Sequence, residues 1–452
     1  MMTGTELPRI VVEPPGPRSR DLTRRLHAVE SPNITFASEE FPVFFERGAG
    51  ANLSDVDGNI YVDLTAAFGV ASTGHSNPHV VKAVAEQAEL LFHGIGDVHP
   101  NEVKVALAEK LCALAPGDGP KRVILSSTGA EAVESALKTA ALASGKPGVL
   151  CFTGAYHGLT YGALEVTDRD FFRAPFARQL GGFGTRVPYA YCYRCPLSLT
   201  YPACENACLS FVEEAMDSAE GDAIGAVIVE PIQGRGGDVT APFDWLLELR
   251  ELCDRRKLLL ILDEVYTGFG RTGRWFACEH AGVVPDLLCV GKGMASGFPI
   301  SACIGRADLM DAWPRSTGEA IHTSTFLGHP TGCAAALASI AEIERRKLVE
   351  RADAMSPRMR GLLERLAQQV GPAIGDVRGH GLMWGVELVT SDGAADPARA
   401  SQAVKGALRR GVVVLAGGPQ NNVLSLTPPL VITDEQLESG VKALADALIE
   451  ER

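Results

Sequence analysis

At 452 residues the chain exceeds what one hydrophobic core usually supports, which predicts two domains or one domain with a flanking subdomain. Its 46% hydrophobic and 21% charged residues are ordinary for a globular protein, and a formal net charge of −13 argues against nucleic acid or an anionic membrane as the main partner. No apolar run approaches about twenty residues, so no membrane span is expected; the N-terminus lacks the basic start and apolar stretch of a secretion signal, and a cytoplasmic location is expected.

Residues 1 to about 30 are rich in Pro and Arg without sustained periodicity and read as an arm or a lid. Between Phe44 and Leu64 the turn Asp57-Gly58-Asn59 joins two short strand-like segments, which predicts a hairpin. A long alternation follows. RVILSS reads as a strand and AEAVESALKTAALA as a helix, and GVLCFT, GAVIVEP, LLLILDEV, LLCVGKG and ISACIG are further strand candidates. Helical stretches such as FDWLLELRELCDRR lie between several of them. Near-continuous apolar strands separated by helices predict an α/β fold: a mostly parallel sheet flanked by helices, with ligands beyond the carboxyl ends of its strands. After about residue 340 the pattern changes. IAEIERRKLVERADAMSPRMRGLLERLAQQV reads as one or two charged amphipathic helices, and GLMWGVELV and GVVVLAGG as strands of a smaller α+β unit. The expected organisation is an N-terminal arm with part of the small domain over 1–75, a large domain over 76–340, and a C-terminal small domain over 341–452.

Eleven cysteines on this length fall short of a disulfide scaffold. Cys112, Cys151, Cys253, Cys289, Cys303 and Cys333 lie in apolar runs, as reduced core cysteines do. Cys192, Cys195, Cys204 and Cys208 differ: a C-x2-C followed by a C-x3-C could gather round zinc, or could be an insertion loop of free thiols or a disulfide.

Three features could carry chemistry. In SSTGAEAVE a strand ends, a polar turn follows and a helix begins, which aims backbone N–H groups and a helix dipole at one point; an ordinary N-cap would look the same. Asp263 stands at the carboxyl end of the most hydrophobic strand, either in a salt bridge under a loop or facing a cationic ligand atom. Lys292 ends the next strand candidate, where a lysine is rarely placed. An anion site, an acid and a buried amine in one crevice suit pyridoxal 5′-phosphate, whose phosphate needs backbone donors, whose ring nitrogen needs a carboxylate and whose aldehyde needs an amine.

From about Phe44 to Leu430 the sequence resembles the class III pyridoxal-phosphate aminotransferases, which include the 4-aminobutyrate, ornithine and ω-amino-acid transaminases. The resemblance rests on SSTGAEAVESALK, FTGAYHGLT, VEPIQGRGG, LILDEVYTGFGRTG, CVGKGMASG and STFLGHPTGCAAALA, in the family's order. It implies the type I fold of these enzymes, with the cofactor on the large domain. Lys292 matches the Schiff-base lysine and Asp263 the carboxylate under the pyridine nitrogen. Thr128, Gly129 and Ala130 match the phosphate loop, where Ala130 replaces the usual Ser or Thr. Tyr156 matches the aromatic that stacks on the ring, with His157 beside it, and Val265 the residue on the opposite face. Glu230 belongs to the same implied cofactor set; Tyr266 stands where many members carry a glutamine near the ring hydroxyl, a bond that a phenol could replace. Thr325 matches a threonine that reaches the phosphate of the neighbouring subunit, which implies a homodimer.

Two carboxylate-binding arginines of the family are missing. Leu159 takes the place of the one after Tyr-His-Gly, and Ser425 the place of the one near the C-terminus. Neither can make a bidentate pair with a carboxylate. Arg235 stands instead where the family commonly has Glu or Asp, and could supply the missing charge or pair with a surface or interface acid. The reading is amino-group transfer from an amine or amino acid to an oxo acid or aldehyde. The alternative is a racemase or epimerase on the same scaffold, since some relatives with a similar Tyr-Cys-Tyr-Arg-Cys insertion invert amino acids. A binding protein that kept only the fold is the third reading; Lys292 and Asp263 together argue against it.

Overall fold

The apolar runs of the alternating region make the middle of a seven-stranded sheet. The computed structural model describes residues 2–38 and 40–450. The strands lie in the order Lys121–Ser126, Ser301–Arg306, Leu287–Val290, Leu259–Asp263, Ile224–Val229, Gly148–Phe152, Gly184–Val187. Pairing is parallel except around Ser301–Arg306, which runs antiparallel to both neighbours.

Alternation along the strands sends side chains to two separate cores. Cys151, Ala226, Ile228 and Ile261 pack with Ala132, Val133 and Ala136 of the helix Gly129–Ser144. Leu150, Val227, Val229, Leu260 and Leu262 pack with Trp245 and Leu249 of the helix Phe243–Arg256 on the other face. With both faces covered, every residue of Ile224–Val229 is buried, which is why the strand reads as an unbroken apolar run. The helix Gly129–Ser144 begins at a capping box between Thr128 and Glu131 and ends at Gly145, in the left-handed conformation.

The remaining strands form two four-stranded sheets and a short pair. Phe45–Ala49, Asn52–Asp55 and Ile60–Asp63 form an antiparallel meander whose second hairpin turns at the expected Asp57-Gly58-Asn59. The other large sheet comprises Ile374–His380, Met383–Leu388, Val423–Leu426 and Leu415–Gly417. GVVVLAGG, expected as one strand, is divided between the two sheets. Val412–Val413 pairs in parallel with Ile60–Asp63, and Leu415–Gly417 pairs antiparallel with Val423–Leu426. The charged stretch after residue 340 falls in two helices, Pro330–Arg345 and Leu348–Val370, separated where Lys347 turns left-handed.

The N-terminal stretch, expected as an arm or a lid, is attached to the meander. Arg9 exchanges two backbone hydrogen bonds with Ile60, and the Asp57 carboxylate accepts the N–H groups of Arg18 and Ser19 at the start of a helix, Pro17–His27. The hairpin turn thus caps that helix and ties the N-terminus to the meander. Of the cysteines expected in the core, Cys112 is half-buried and the others are buried.

Asp286, just before the strand Leu287–Val290, joins three elements. It accepts the Leu260 N–H at 2.8 Å, Nη1 of Arg250 at 2.8 Å and Nη1 of Arg306 at 2.9 Å. Asp286→Ala leaves the largely buried Arg250 with the more exposed Asp254 as its one remaining carboxylate among the described residues and orphans a buried N–H. The expected cost is about 3 kcal/mol of stability, read as a lowered urea midpoint.

Candidate active site

Several parallel strands end at one edge of the large sheet, and each delivers a side chain or a backbone donor to the same crevice. Asp263 closes its strand, Glu230 follows Val229, Lys292 follows Val290 by two residues, and the helix Gly129–Ser144 starts three residues after Ser126. The cavity there has a volume of about 480 Å³, and Thr128, Gly129, Ala130, Tyr156, His157, Glu230, Arg235, Asp263, Val265, Tyr266 and Lys292 all line it. Of the residues singled out in the sequence as cofactor contacts, Thr325 alone lies elsewhere, exposed on a loop after the strand Ser301–Arg306.

Lys292 has a φ of +42°, a conformation that costs a non-glycine residue energy and persists only where the surroundings enforce it. Its Nζ lies 3.8 Å from the centre of the Tyr266 ring. Burial is the main cause that brings its pKa down, to about 8, against the opposing pull of Asp263 and Glu230. The amine is therefore far closer to its neutral, nucleophilic form at physiological pH than an exposed lysine.

Asp263 is held at both oxygens: Nδ1 of His157 is 2.8 Å from Oδ2, and the Val265 N–H donates to Oδ1 at 3.0 Å. The His157 backbone N–H donates to Thr167, and its buried Nε2 has no hydrogen-bond partner among the described residues. Glu230 accepts the N–H of Tyr156 at 2.9 Å and of Gly234 at 3.1 Å, fixing the turns that carry Tyr156 and Arg235. Burial pushes its carboxyl up to about 7, with His157 opposing the shift and Asp263 adding to it.

At the helix start, Glu131 accepts the N–H groups of Ser127 and Thr128, and the Thr128 hydroxyl accepts the N–H of Glu131. Thr128 is thus both a cap and part of the cavity wall. The first helical N–H groups, those of Gly129 and Ala130, precede any intrahelical partner and face the positive end of the dipole.

Tyr266, expected near a cofactor hydroxyl, lines the cavity with its phenol engaged by Thr427. The phenol lies 3.1 Å from the Thr427 hydroxyl, and the ring face is turned to Lys292. Two glycines fix that pose: a Cβ at Gly234 would come within 2.2 Å of the ring, and one at Gly69 within 2.5 Å.

Arg235 lies between aromatic rings, its Cζ 5.3 Å from the centre of Tyr156 and 5.9 Å from both Phe68 and Phe172. Among the described residues its guanidinium has no carboxylate within ion-pair distance. Leu159 lines the cavity; Ser425 lines a smaller one beside it, and behind Ser425 sits Asp238, fully buried and pushed up to about 7 by that burial. The Ser425 hydroxyl is near enough to pull that pKa back, but neither Asp238 oxygen has a partner of hydrogen-bond geometry. Phe68, Phe172 and Asp238 were not legible in the sequence, since nothing in their local pattern carries chemistry.

The four loop cysteines line a separate small cavity with Tyr191, Tyr201 and Pro242, and all are free thiols. Among the described residues no three His, Cys, Asp or Glu side chains are grouped as metal ligands. Burial pushes the Cys192 thiol up and that of Cys208 up to about 11, with the neighbouring loop cysteines adding to both shifts.

The donor set of the large cavity fits pyridoxal 5′-phosphate. The helix start could take a dianion, Asp263 could face a protonated ring nitrogen, Tyr156 and Val265 could flank a flat ring, and Lys292 could meet an aldehyde.

Comparison with known proteins agrees. The family model for class-III aminotransferases matches residues 35–448. The chain is 39% identical over 457 residues to the 4-aminobutyrate aminotransferase of Mycobacterium leprae, covering 99% of both chains. It is 37% identical to the alanine/serine racemase of Pyrococcus horikoshii, covering 98% of this chain and 93% of that one. The omega transaminase from Pseudomonas jessenii, solved in complex with PMP, superposes with a TM-score of 0.88 at 27% identity, covering 95% of this chain and 98% of that one.

The raised pKa of Glu230 has a measurable sign. Between its ordinary 4.5 and about 7 the folded protein keeps a proton that the unfolded chain has released, so stability falls as pH rises through that window. Glu230→Gln removes this share. Urea midpoints from pH 4.5 to 7.5 should decline less steeply in the variant than in the wild type.

Proposed function

We propose the function from one premise: the chain belongs to the class III aminotransferase family. It is a pyridoxal-phosphate-dependent aminotransferase that moves an amino group from an amine or amino acid to an oxo acid or aldehyde. The observation that carries the residue assignments is the meeting of Lys292, Asp263 and the start of the helix Gly129–Ser144 on one cavity.

Pyridoxal 5′-phosphate, when bound, supplies an aldehyde that takes an amine and a ring that draws electrons from the adjacent carbon. The N–H groups of Gly129 and Ala130 bind the anionic end, with the Thr128 hydroxyl at the cavity wall beside them. Asp263 holds a proton at the ring nitrogen, and His157 at its other oxygen keeps it oriented. Tyr156 and Val265 confine the ring, and Glu230 positions Tyr156 through its backbone. Lys292 would hold the cofactor through its amine, and its Nζ, when free, would move a proton at the donor carbon as general acid–base. Tyr266 shields that amine from water with its ring face. The working unit is a cytoplasmic homodimer in which the exposed Thr325 reaches the neighbouring site. No helix among the described residues is long and apolar enough to cross a membrane.

Arg235 reads the substrate carboxylate in place of the arginines missing at Leu159 and Ser425. Its free guanidinium between aromatic rings at the cavity wall supports this role. The racemase alternative needs a proton-exchanging group across the reacting carbon from Lys292, and a guanidinium at 235 offers donors but no acceptor.

Lys292→Ala should abolish amino transfer from any donor while the protein stays folded; full activity in that variant would overturn the assignment. Arg235→Leu should raise KM for carboxylate-bearing donors about tenfold or more, the worth of a charge-assisted bond, and leave simple amines little affected. An unchanged KM for every carboxylate donor would remove Arg235 from substrate recognition.

A further inference from the structure

Residues 66–69 carry an unusual run: Ala66, Ala67, Phe68 and Gly69 all have positive φ, at 45°, 51°, 61° and 75°. Three consecutive non-glycine residues in the left-handed region are costly and must be held from outside. Thr427 accomplishes part of this, donating its hydroxyl to the Thr65 carbonyl at 3.0 Å and its N–H to the Leu64 carbonyl at 2.7 Å, and the Tyr266 ring packs on Gly69. The turn presents Phe68, half exposed, at a junction.

On one side of Phe68 is Arg235. Next to it lies a small cavity of about 40 Å³ lined by Lys292, Tyr266, Arg235, Phe68, Ser425 and Thr427 among others. Beyond lies a chamber of about 250 Å³, walled by Phe41, Val43, Val404, Leu408 and Val413, with no charged residue in its lining. Thr65, Phe68 and Leu415 line both the small cavity and the chamber, and Lys292, Tyr266 and Arg235 line both the small cavity and the large one. The three spaces therefore form a row running from the reaction centre to an apolar pocket.

We propose that this chamber is a substrate subsite for an unbranched apolar chain, so that the preferred substrate is an amphipathic amino acid whose carboxylate meets Arg235 and whose hydrocarbon tail passes Phe68 and Leu415 into the chamber. The inference rests on the carboxylate role of Arg235 given above. A carboxylate at Arg235 and an amine at Lys292 fix two substituents of the reacting carbon. The small cavity, which touches both residues, is a way out for the third. A polar chain gains little there, because among the described residues Thr65 carries the only polar side chain in the chamber lining, and its hydroxyl already donates to Asp63 and accepts the Ala67 N–H. An apolar chain gains with each methylene removed from water.

The test measures binding rather than turnover. Straight-chain monocarboxylates from acetate to octanoate are titrated calorimetrically into the cofactor-loaded enzyme. Affinity should rise roughly three- to fourfold per methylene, then level off once the chamber is filled. Val404→Trp, or Val413→Phe should the first variant fail to fold, should bring the ratio of octanoate to butyrate affinity down toward one. Arg235→Leu should weaken all lengths by a common factor. Affinity independent of chain length in the wild type, or a gain that a folded chamber-filling variant leaves intact, would overturn the proposal. Because no amino transfer is required, failure of the transaminase reading would show separately, as absence of oxo product from every donor.

Discussion

The crevice depends on keeping one amine out of water without pairing it to an acid. Lys292 sits over the Tyr266 ring, and burial outweighs the carboxylates that would otherwise hold its charge. A salt bridge to Asp263 would have locked the proton on the lysine; instead Asp263 spends its two oxygens on His157 and the Val265 N–H. The result is an acid and a base facing one cavity without neutralising each other, the arrangement from which acid–base assignments follow.

Much of the surrounding structure can be understood as support for that separation. Tyr266 can present its ring face only because Gly69 and Gly234 have no side chains and because Thr427 engages its hydroxyl. Gly234 is itself held by Glu230, which also holds Tyr156, so one buried carboxyl sets both the ring-flanking aromatic and the turn leading to Arg235. The left-handed run at 66–69 is pinned by the same Thr427. The first half of the chain thereby meets the last at the substrate side of the site, just as Ile60–Asp63 pairs with Val412–Val413 in the neighbouring sheet.

What the sequence made legible is what sits at strand ends. Asp263 and Lys292 break apolar runs with charges that a buried sheet does not tolerate without a reason, and SSTGAEAVE announces a helix start by its cap residues. The mostly parallel sheet followed from strands buried on both faces. GTRV, the edge strand Gly184–Val187, has too few apolar residues to announce itself. GVVVLAGG looked continuous because a run of valines does not encode which sheet it joins. Phe68 and Asp238 gain their positions from long-range packing, the first from a backbone conformation that alanines do not signal and the second from burial behind Ser425. The cysteine loop reads as a possible metal site from spacing alone, which carries no geometry; in the fold its Tyr191 and Arg194 donate to Glu387.

In the proposed reading the cationic wall of the site is Arg235, on the turn after Glu230, with Ser425 uncharged in the C-terminal sheet. The amine, the acid and the helix start stand in place beside it. The central claim is that these three groups perform amino transfer, and the most direct test offers the cofactor-loaded enzyme a single amino donor with no oxo acid present. The account predicts one oxo product per active site with a matching change in the cofactor's absorbance. An unchanged absorbance with no oxo product, while a chiral donor loses its optical activity, would contradict it and identify a racemase.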